Sequence, residues 1–243
     1  MLNPIRKILK SDLLYRSSIA SIIPDFLLPR FCVYCEEKLS PGEYYLCPAC
    51  FFQVSDAPKE LLQHEFDRKF RGLSLIDNFR AAFIFEKEKP LQALIHRLKY
   101  SYNFNAGEFL GRLTGEKLKN ELASLEIRYL LPVPIHKLKK YHRGYNQTEY
   151  IAKGISKVTG IEILSDVLIR GKHTGTQSKL KIDTRKRNIT DVFEVNNSGK
   201  IAEANIAIVD DIVTTGATMN ECAKVLKQQS AGNITALSVA IAG

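Results

Sequence analysis

Apolar residues follow two distinct patterns in the chain after about residue 65. Four short apolar runs predict buried strands at 79–86, 129–135, 206–209 and 234–242. Four longer stretches, in which apolar residues recur every three or four positions, predict amphipathic helices at 90–100, 105–124, 145–160 and 218–230. Because strands alternate with helices of this length, we predict an α/β fold with a mainly parallel sheet flanked by helices.

The segment before residue 66 contains four of the five cysteines: Cys32, Cys35, Cys47 and Cys50. They form two C-x2-C pairs, and each pair allows a tight turn to direct two sulfurs at one ion. The sequence "SPGE" between the pairs predicts the turn of a short hairpin. We therefore predict a structural Zn2+ site closed by four thiolates, with two disulfides or a redox C-x2-C pair as alternatives.

This contrast predicts two parts, an N-terminal helical segment with the zinc-binding module at 1–65 and an α/β domain at 66–243. No uninterrupted run of about 18 apolar residues occurs, so we expect no membrane span. The stretch "SSIASIIPDFLLP" is broken by Asp25 and two prolines, and no small-residue cleavage site follows it. We therefore expect no signal peptide and a cytoplasmic protein.

The stretch "IVDDIVTTGATM" places Asp210 and Asp211 at the end of the predicted strand 206–209. In an open parallel sheet, ligands bind just beyond the carboxyl ends of the strands. The loop that follows consists of Thr214, Thr215, Gly216, Ala217 and Thr218. It leads into a helix, so its backbone N–H groups suit a phosphate, while carboxylates suit sugar hydroxyls or help to hold Mg2+. The combination predicts a ribose 5-phosphate site; a polar turn without a ligand is the alternative.

The helix after this loop should begin with a capping box, because Thr218 and Glu221 have the required spacing. Its apolar residues fall on one face and include Cys222. We therefore predict that Cys222 is a core residue rather than a nucleophile.

The formal net charge of +9 favours polyanionic or phosphorylated partners. Much of the positive charge lies in two stretches, 136–143 and 172–188. In and just after the first stretch, Tyr141 and Tyr145 interleave with Lys139, Lys140 and Arg143, which suits stacking on the bases of single-stranded nucleic acid. A solvated basic surface, with the tyrosines packed in the core, is the alternative.

The run "IAIVDDIVTTGATM" resembles the phosphoribosyl pyrophosphate loop of type I phosphoribosyltransferases, because strand, acid pair, small-residue loop and helix start occur in that order. From Cys32 onward the chain also resembles the ComF family of competence proteins. That resemblance is carried by the four-cysteine segment, by "LLPVPIHKLKKYHRGYNQ" (130–147), and by Gln177, Arg185, Asn188 and Phe193. Tyr145 replaces a more usual phenylalanine, and Thr184 stands where an acid commonly precedes the arginine.

The resemblance implies that 66–243 is a phosphoribosyltransferase-like domain that binds phosphoribosyl pyrophosphate with Mg2+. It implies that the pyrophosphate lies at 132–137, and that 172–188 is the mobile loop that closes over the substrate in such enzymes. The basic residues that would then contact pyrophosphate, or DNA phosphates, are Lys137, Arg143, Arg185 and Arg187.

Three functions are compatible with these features. The first is a ComF-type protein of DNA uptake and natural transformation, which binds single-stranded DNA and works with proteins of the uptake machinery. The second is an active phosphoribosyltransferase with an unknown acceptor, although no segment predicts a site for a purine or pyrimidine. The third is a non-enzymatic regulator that senses a phosphoribosyl nucleotide.

Overall fold

The computed structural model of the protein describes residues 29–100, 103–171 and 193–242. The helices are α1 (Pro48–Phe51), α2 (Lys59–Lys69), α3 (Pro90–Tyr100), α4 (Phe104–Ser124), α5 (Lys137–Arg143), α6 (Gln147–Thr159) and α7 (Ala217–Lys227). The strands are β1 (Asn78–Phe85), β2 (Tyr129–Pro132), β3 (Glu162–Ile163), β4 (Leu168–Arg170), β5 (Phe193–Val195), β6 (Ile206–Val213) and β7 (Ile234–Ala242). Two 3-10 turns occur at Arg71–Leu73 and Ser198–Lys200.

Five strands form one sheet in the order β1-β7-β6-β2-β3, and every pairing in it is parallel. Strands β4 and β5 form a separate antiparallel ribbon. Eight of the nine residues of β7 are buried, since helices cover both faces of the sheet. This burial explains why β7 is an almost continuous apolar run, and the arrangement confirms the predicted parallel α/β fold.

The two faces of the sheet carry separate apolar clusters. Val209 belongs to the cluster formed with α3, α4 and α6, whereas Ile208 belongs to the cluster formed with α7, as the alternation of a strand requires. The cysteine segment contributes Leu46 and three of its cysteines to the first cluster. The segment therefore packs against the same layer of helices. Helix α2 runs across residue 65, and the division of the chain at that residue stays a prediction.

Helices α4 and α6 are in direct backbone contact. A Cβ on Gly111 would lie 2.0 Å from the carbonyl oxygen of Ile151, and a Cβ on Gly154 would lie 2.2 Å from the carbonyl oxygen of Glu108. Only glycine fits at these two positions. The contact fixes α6 against the sheet, and the first turn of α6 lies next to the acid pair.

Three details of the predicted elements are wrong. Strand 129–135 ends at Pro132, and strand 206–209 continues to Val213. The predicted capping box does not form, because the N-cap of α7 is Gly216, which has no side chain; the N–H of Ala217 instead donates to Oγ1 of Thr215 over 3.4 Å. Within the described part of the chain, every helix is too short or too polar to cross a membrane.

Candidate functional site

The acid pair lies inside strand β6 rather than after it. Strand β2 stops at Pro132, opposite Val209, but Asp210 still pairs with Ser238 of the longer strand β7. The backbone N–H of Val133, just after β2, still donates to the carbonyl oxygen of Val209 over 2.9 Å. The two acids therefore extend beyond the end of β2 while β7 holds their backbone.

Asp211 is buried and has two side-chain partners from the helical layer. The Nζ atom of Lys99, on the last turn of α3, lies 2.9 Å from Oδ2 of Asp211. The Nε2 atom of Gln147, the first residue of α6, lies 3.4 Å from the same oxygen. Arg143 extends this chain of contacts, because its Nη1 donates to Oε1 of Gln147 over 3.0 Å. A buried carboxylate requires such compensation.

Asp210 has different surroundings, which explains how two adjacent carboxylates are tolerated. Its Oδ1 accepts a hydrogen bond of 2.8 Å from the backbone N–H of Asp211. On α7, burial and then the charge of Asp210 raise the pKa of the Cys222 thiol well above its usual range. Cys222 is fully buried, so the prediction that it is a core residue is confirmed. The two carboxylates therefore face opposite sides of the sheet.

The predicted phosphate loop is held by the end of α2. Lys69 donates a hydrogen bond from Nζ to the carbonyl oxygen of Thr214, and the side chain of Asn220 donates to the carbonyl of Lys69 over 3.0 Å. Gly216 has φ of +78°, and a Cβ there would lie 2.7 Å from the Phe70 ring. The loop shape therefore depends on glycine at this position and on residues far away in the sequence.

A buried ion pair supports Lys69 in this role. Nζ of Lys69 lies 2.7 Å from Oε2 of Glu65, and only 4% and 5% of the two side chains are exposed. Burial alone would raise the pKa of Glu65, but hydrogen bonds from Arg68 and Lys69 outweigh it and lower the pKa to about 2. Glu65 thus stays ionised and fixes the ammonium group beside Thr214.

The predicted basic residues are described only in part. Arg185 and Arg187 lie outside the described residues, as does the stretch 172–188 with Gln177 and Asn188. Lys137 begins α5. Arg143 is linked to Asp211 of the acid pair through the side chain of Gln147.

The two tyrosines for which base stacking and packing in the core were both left open differ in exposure. Tyr145 is buried and donates its hydroxyl hydrogen to the carbonyl of Leu98, so the stacking alternative is wrong for this residue. Tyr141 is 84% exposed.

The four clustered cysteines have the geometry of a metal site. Their Sγ atoms all lie within 4.8 Å of one another, and Cys35 and Cys47 have an Sγ–Sγ distance of 3.7 Å. A tetrahedral ion with Zn–S bonds of about 2.3 Å requires sulfurs about 3.8 Å apart. All five cysteines are free thiols, which argues against the disulfide alternative. The donor set therefore fits Zn2+ in a closed, structural site.

Backbone N–H groups favour the thiolate form of Cys32, whereas the pKa of Cys35 is raised and burial raises the pKa of Cys50. Burial would raise the pKa of Cys32, but N–H groups of Cys35, Cys47 and Tyr34 point at its sulfur and lower the pKa to about 7. The predicted turn forms at "SPGE", where the backbone N–H of Glu43 donates to the carbonyl oxygen of Ser40 over 3.0 Å, whereas the antiparallel bridge between Phe31 and Lys38 encloses the first cysteine pair. The loop thus arranges both the sulfurs and their hydrogen-bond donors around one point.

The protein has a phosphoribosyltransferase-like fold, in which the central strand of a parallel sheet carries an acid pair and leads into a threonine–glycine loop. An N-terminal segment adds four clustered cysteines that could hold a metal ion. Comparison with curated proteins confirms the resemblance to the ComF competence proteins. The chain is 27% identical over 207 residues to competence protein F of Haemophilus influenzae, which covers 81% of this chain and 90% of that protein.

Two further relatives match a smaller part of the chain. DNA utilization protein YhgH of Escherichia coli K12 is 30% identical over 156 residues, covering 60% of this chain and 64% of YhgH. Competence protein ComFC of Streptococcus pneumoniae is 28% identical over 138 residues, covering 57% of this chain and 59% of ComFC. The chain thus spans less than two thirds of these two relatives. No protein-family model matches it.

Two solved structures of phosphoribosyltransferases are similar at low identity. An adenine phosphoribosyltransferase is 15% identical with a TM-score of 0.34, covering 60% of this chain and 74% of that chain. The adenine phosphoribosyltransferase of Saccharomyces cerevisiae is 13% identical with a TM-score of 0.33, covering 78% of this chain and 86% of that chain.

Proposed function

We propose that the protein acts in DNA uptake by binding single-stranded DNA beside a site for phosphoribosyl pyrophosphate. The names of its relatives, competence protein and DNA utilization protein, support the first part of this proposal. The observation that carries it is an exposed cation–aromatic surface at the ends of α3 and α5, next to the acid pair.

This surface combines rings and positive charge in the way that single strands require. Tyr100 is 64% exposed, and the Arg143 guanidinium carbon lies 5.7 Å from the centre of its ring. The ring of His96 lies 4.5 Å from that of Tyr100. Tyr141, which is also exposed, lies two residues before Arg143 on α5. Bases stack on such rings, and arginine neutralises the phosphates between them.

Binding of a labelled oligothymidylate tests this surface. We expect affinity to fall steeply with salt, and Arg143→Gln to lower both the affinity and the salt slope, by about 0.7 for one phosphate contact. Arg128→Gln is the matched control, because the Arg128 guanidinium carbon also lies over a tyrosine ring, 5.3 Å from the ring centre of Tyr129. Arg128 precedes β2 and therefore lies at the other end of the strands from the acid pair. Binding that is independent of salt, or an equal loss in the two variants, would exclude the surface.

The second part of the proposal concerns Asp210, Asp211 and the loop from Thr214 to Thr218. We propose that the loop and the first turn of α7 bind the 5-phosphate of the ligand, and that the two acids bind its sugar hydroxyls. Asp210 and Asp211 would also help to hold Mg2+, which would offset the negative charge of the pyrophosphate. The support is that Lys69 and Phe70 fix the loop in one conformation, so that little conformational entropy is lost on binding.

A further inference from the structure

We propose that Lys99 is a further binding residue of this site, whose ammonium group contacts the second anionic group of a ligand while the sugar hydroxyls contact Asp211. The inference rests on the proposed phosphoribosyl pyrophosphate site. The ligand class is a sugar that carries anionic groups at both ends, as a 5-phosphate and a 1-diphosphate do.

The position of Lys99 allows its ammonium group to contact either Asp211 or an anionic group of a ligand. It is the penultimate residue of α3, its side chain is 23% exposed, and its Nζ lies 2.9 Å from Oδ2 of Asp211. The carboxylate oxygen that it contacts is one that a sugar hydroxyl would use. A lysine side chain has four rotatable methylene carbons, so the ammonium group can move from the carboxylate to a nearby anion at little cost.

The charge around Asp211 exceeds what a structural ion pair requires. The positive charge of Lys99 alone balances the charge of the buried Asp211 carboxylate. Arg143 is also linked to that carboxylate, because Gln147 contacts Asp211 through Nε2 and Arg143 through Oε1. Arg143 has five N–H donors. Among the described residues, one of these donors forms a hydrogen bond with Oε1 of Gln147. Two cations thus flank one carboxylate, and an anionic group between them would complete the balance.

The side chains of Lys99 and Arg143 approach the acid pair from different elements than those that hold the phosphate loop. Lys99 and Arg143 lie on α3 and α5, whereas the loop is held by Lys69 at the end of α2. Along β6 the acid pair follows Val209, which pairs with the last residue of β2, and precedes the loop. A ligand with anions on both sides of its sugar matches this order, whereas ribose 5-phosphate has an anion for the loop alone.

Comparison of two ligands in one variant tests the role of Lys99. Calorimetry on Lys99→Met should show a loss of about 10-fold or more for phosphoribosyl pyrophosphate with Mg2+, but less than about 2-fold for ribose 5-phosphate. Lys99→Arg should bind phosphoribosyl pyrophosphate within about 3-fold of the wild type, because it keeps the charge. Lys119→Met is the control, since Lys119 pairs with Glu116 on the outer surface of α4.

The outcomes separate this inference from the function on which it rests. Equal losses for the two ligands in Lys99→Met would mean that Lys99 only holds Asp211, and no loss would mean that it does not act at all; each result overturns the inference alone. A wild-type protein that binds neither ligand overturns the proposed site and the inference together.

A measurement on the wild type is independent of how the variants fold. Inorganic diphosphate with Mg2+ should displace phosphoribosyl pyrophosphate but bind together with ribose 5-phosphate, because the two anions use separate places. Displacement of ribose 5-phosphate by diphosphate would indicate a single anion site and would overturn the inference.

Discussion

Replacing Cys47 with serine is expected to remove Zn2+ from the protein and to unfold the segment around the four cysteines. The Sγ atom of Cys47 lies 3.7 Å from that of Cys35 and within 4.8 Å of the other two, so its loss opens the tetrahedral site. A serine hydroxyl stays protonated at neutral pH and is a poor replacement for a thiolate. In zinc-finger peptides the metal supplies about 10–16 kcal/mol of apparent free energy, and this is folding free energy.

The effect should extend beyond the cysteine segment into the helical layer. Tyr45 donates its hydroxyl hydrogen to Oδ1 of Asn103 over 3.1 Å, and its ring lies 5.3 Å from that of Phe109. Both contacts join the cysteine segment to the region of α4. We therefore expect a lower unfolding temperature for the whole protein in Cys47→Ser, with the α/β sheet still folded at room temperature.

Metal analysis of the purified protein measures this directly. The wild type should contain about one equivalent of zinc, as a four-thiolate site requires, and Cys47→Ser almost none. Cys222→Ser is the matched control, because Cys222 is fully buried in α7 and far from the cluster in sequence. It should lose packing stability but keep its zinc. Full zinc content in Cys47→Ser, or none in the wild type, would contradict the assignment.

The second large effect is expected from Gly216→Ala in the phosphate loop. At φ of +78° an alanine costs about 1–2 kcal/mol of backbone strain. Its Cβ would also lie 2.7 Å from Cε1 of Phe70 and 3.2 Å from Cβ of Lys69, which adds about 1–3 kcal/mol of overpacking. The loop must shift to relieve this contact, so its N–H groups no longer converge on one anion. We expect the affinity for ribose 5-phosphate to fall by at least about 10-fold.

Gly160→Ala separates backbone strain from the local contact. Gly160 ends α6 with φ of +75°, yet nothing lies within 4 Å of a Cβ built there. Chemical denaturation should show a similar strain cost in both variants and an additional cost in Gly216→Ala only. Ligand affinity should be unchanged in Gly160→Ala. If Gly216→Ala binds ribose 5-phosphate as the wild type does, the loop is not the phosphate site.

The pattern of apolar residues was sufficient to predict the longer helices and strands, because apolar periodicity reflects burial, but the short strands β3, β4 and β5 were not predicted. The predicted helices at 90–100 and 105–124 match α3 and α4 within one residue. The end of β6 was missed for a tertiary reason: pairing with β7 continues to Val213, and nothing within 206–213 indicates the length of its neighbour. A similar cause explains Tyr145, whose hydroxyl group is satisfied by the distant carbonyl of Leu98.

The candidate site was predicted as far as its residues are adjacent in sequence. The acid pair, the loop and the cysteines are short motifs, and their chemistry is visible in their spacing. Lys69 and Lys99 carry no such signal, because each is an ordinary lysine near a helix end. Lys69 meets Thr214 across 145 positions, so only the fold brings them together. The same holds for Lys99 and Asp211.

Calorimetric titration of phosphoribosyl pyrophosphate with Mg2+ into the wild type and Asp211→Asn measures whether the acid pair and the loop form a sugar–phosphate site. Asp166→Asn, a change at an exposed acid outside the site, is the control. We predict saturable binding of about one ligand per chain in the wild type and in Asp166→Asn, and a loss of at least about 10-fold in Asp211→Asn, because the neutral amide no longer accepts the sugar hydroxyls as strongly. No heat with the wild type, or equal affinity in Asp211→Asn, would contradict the sugar–phosphate site.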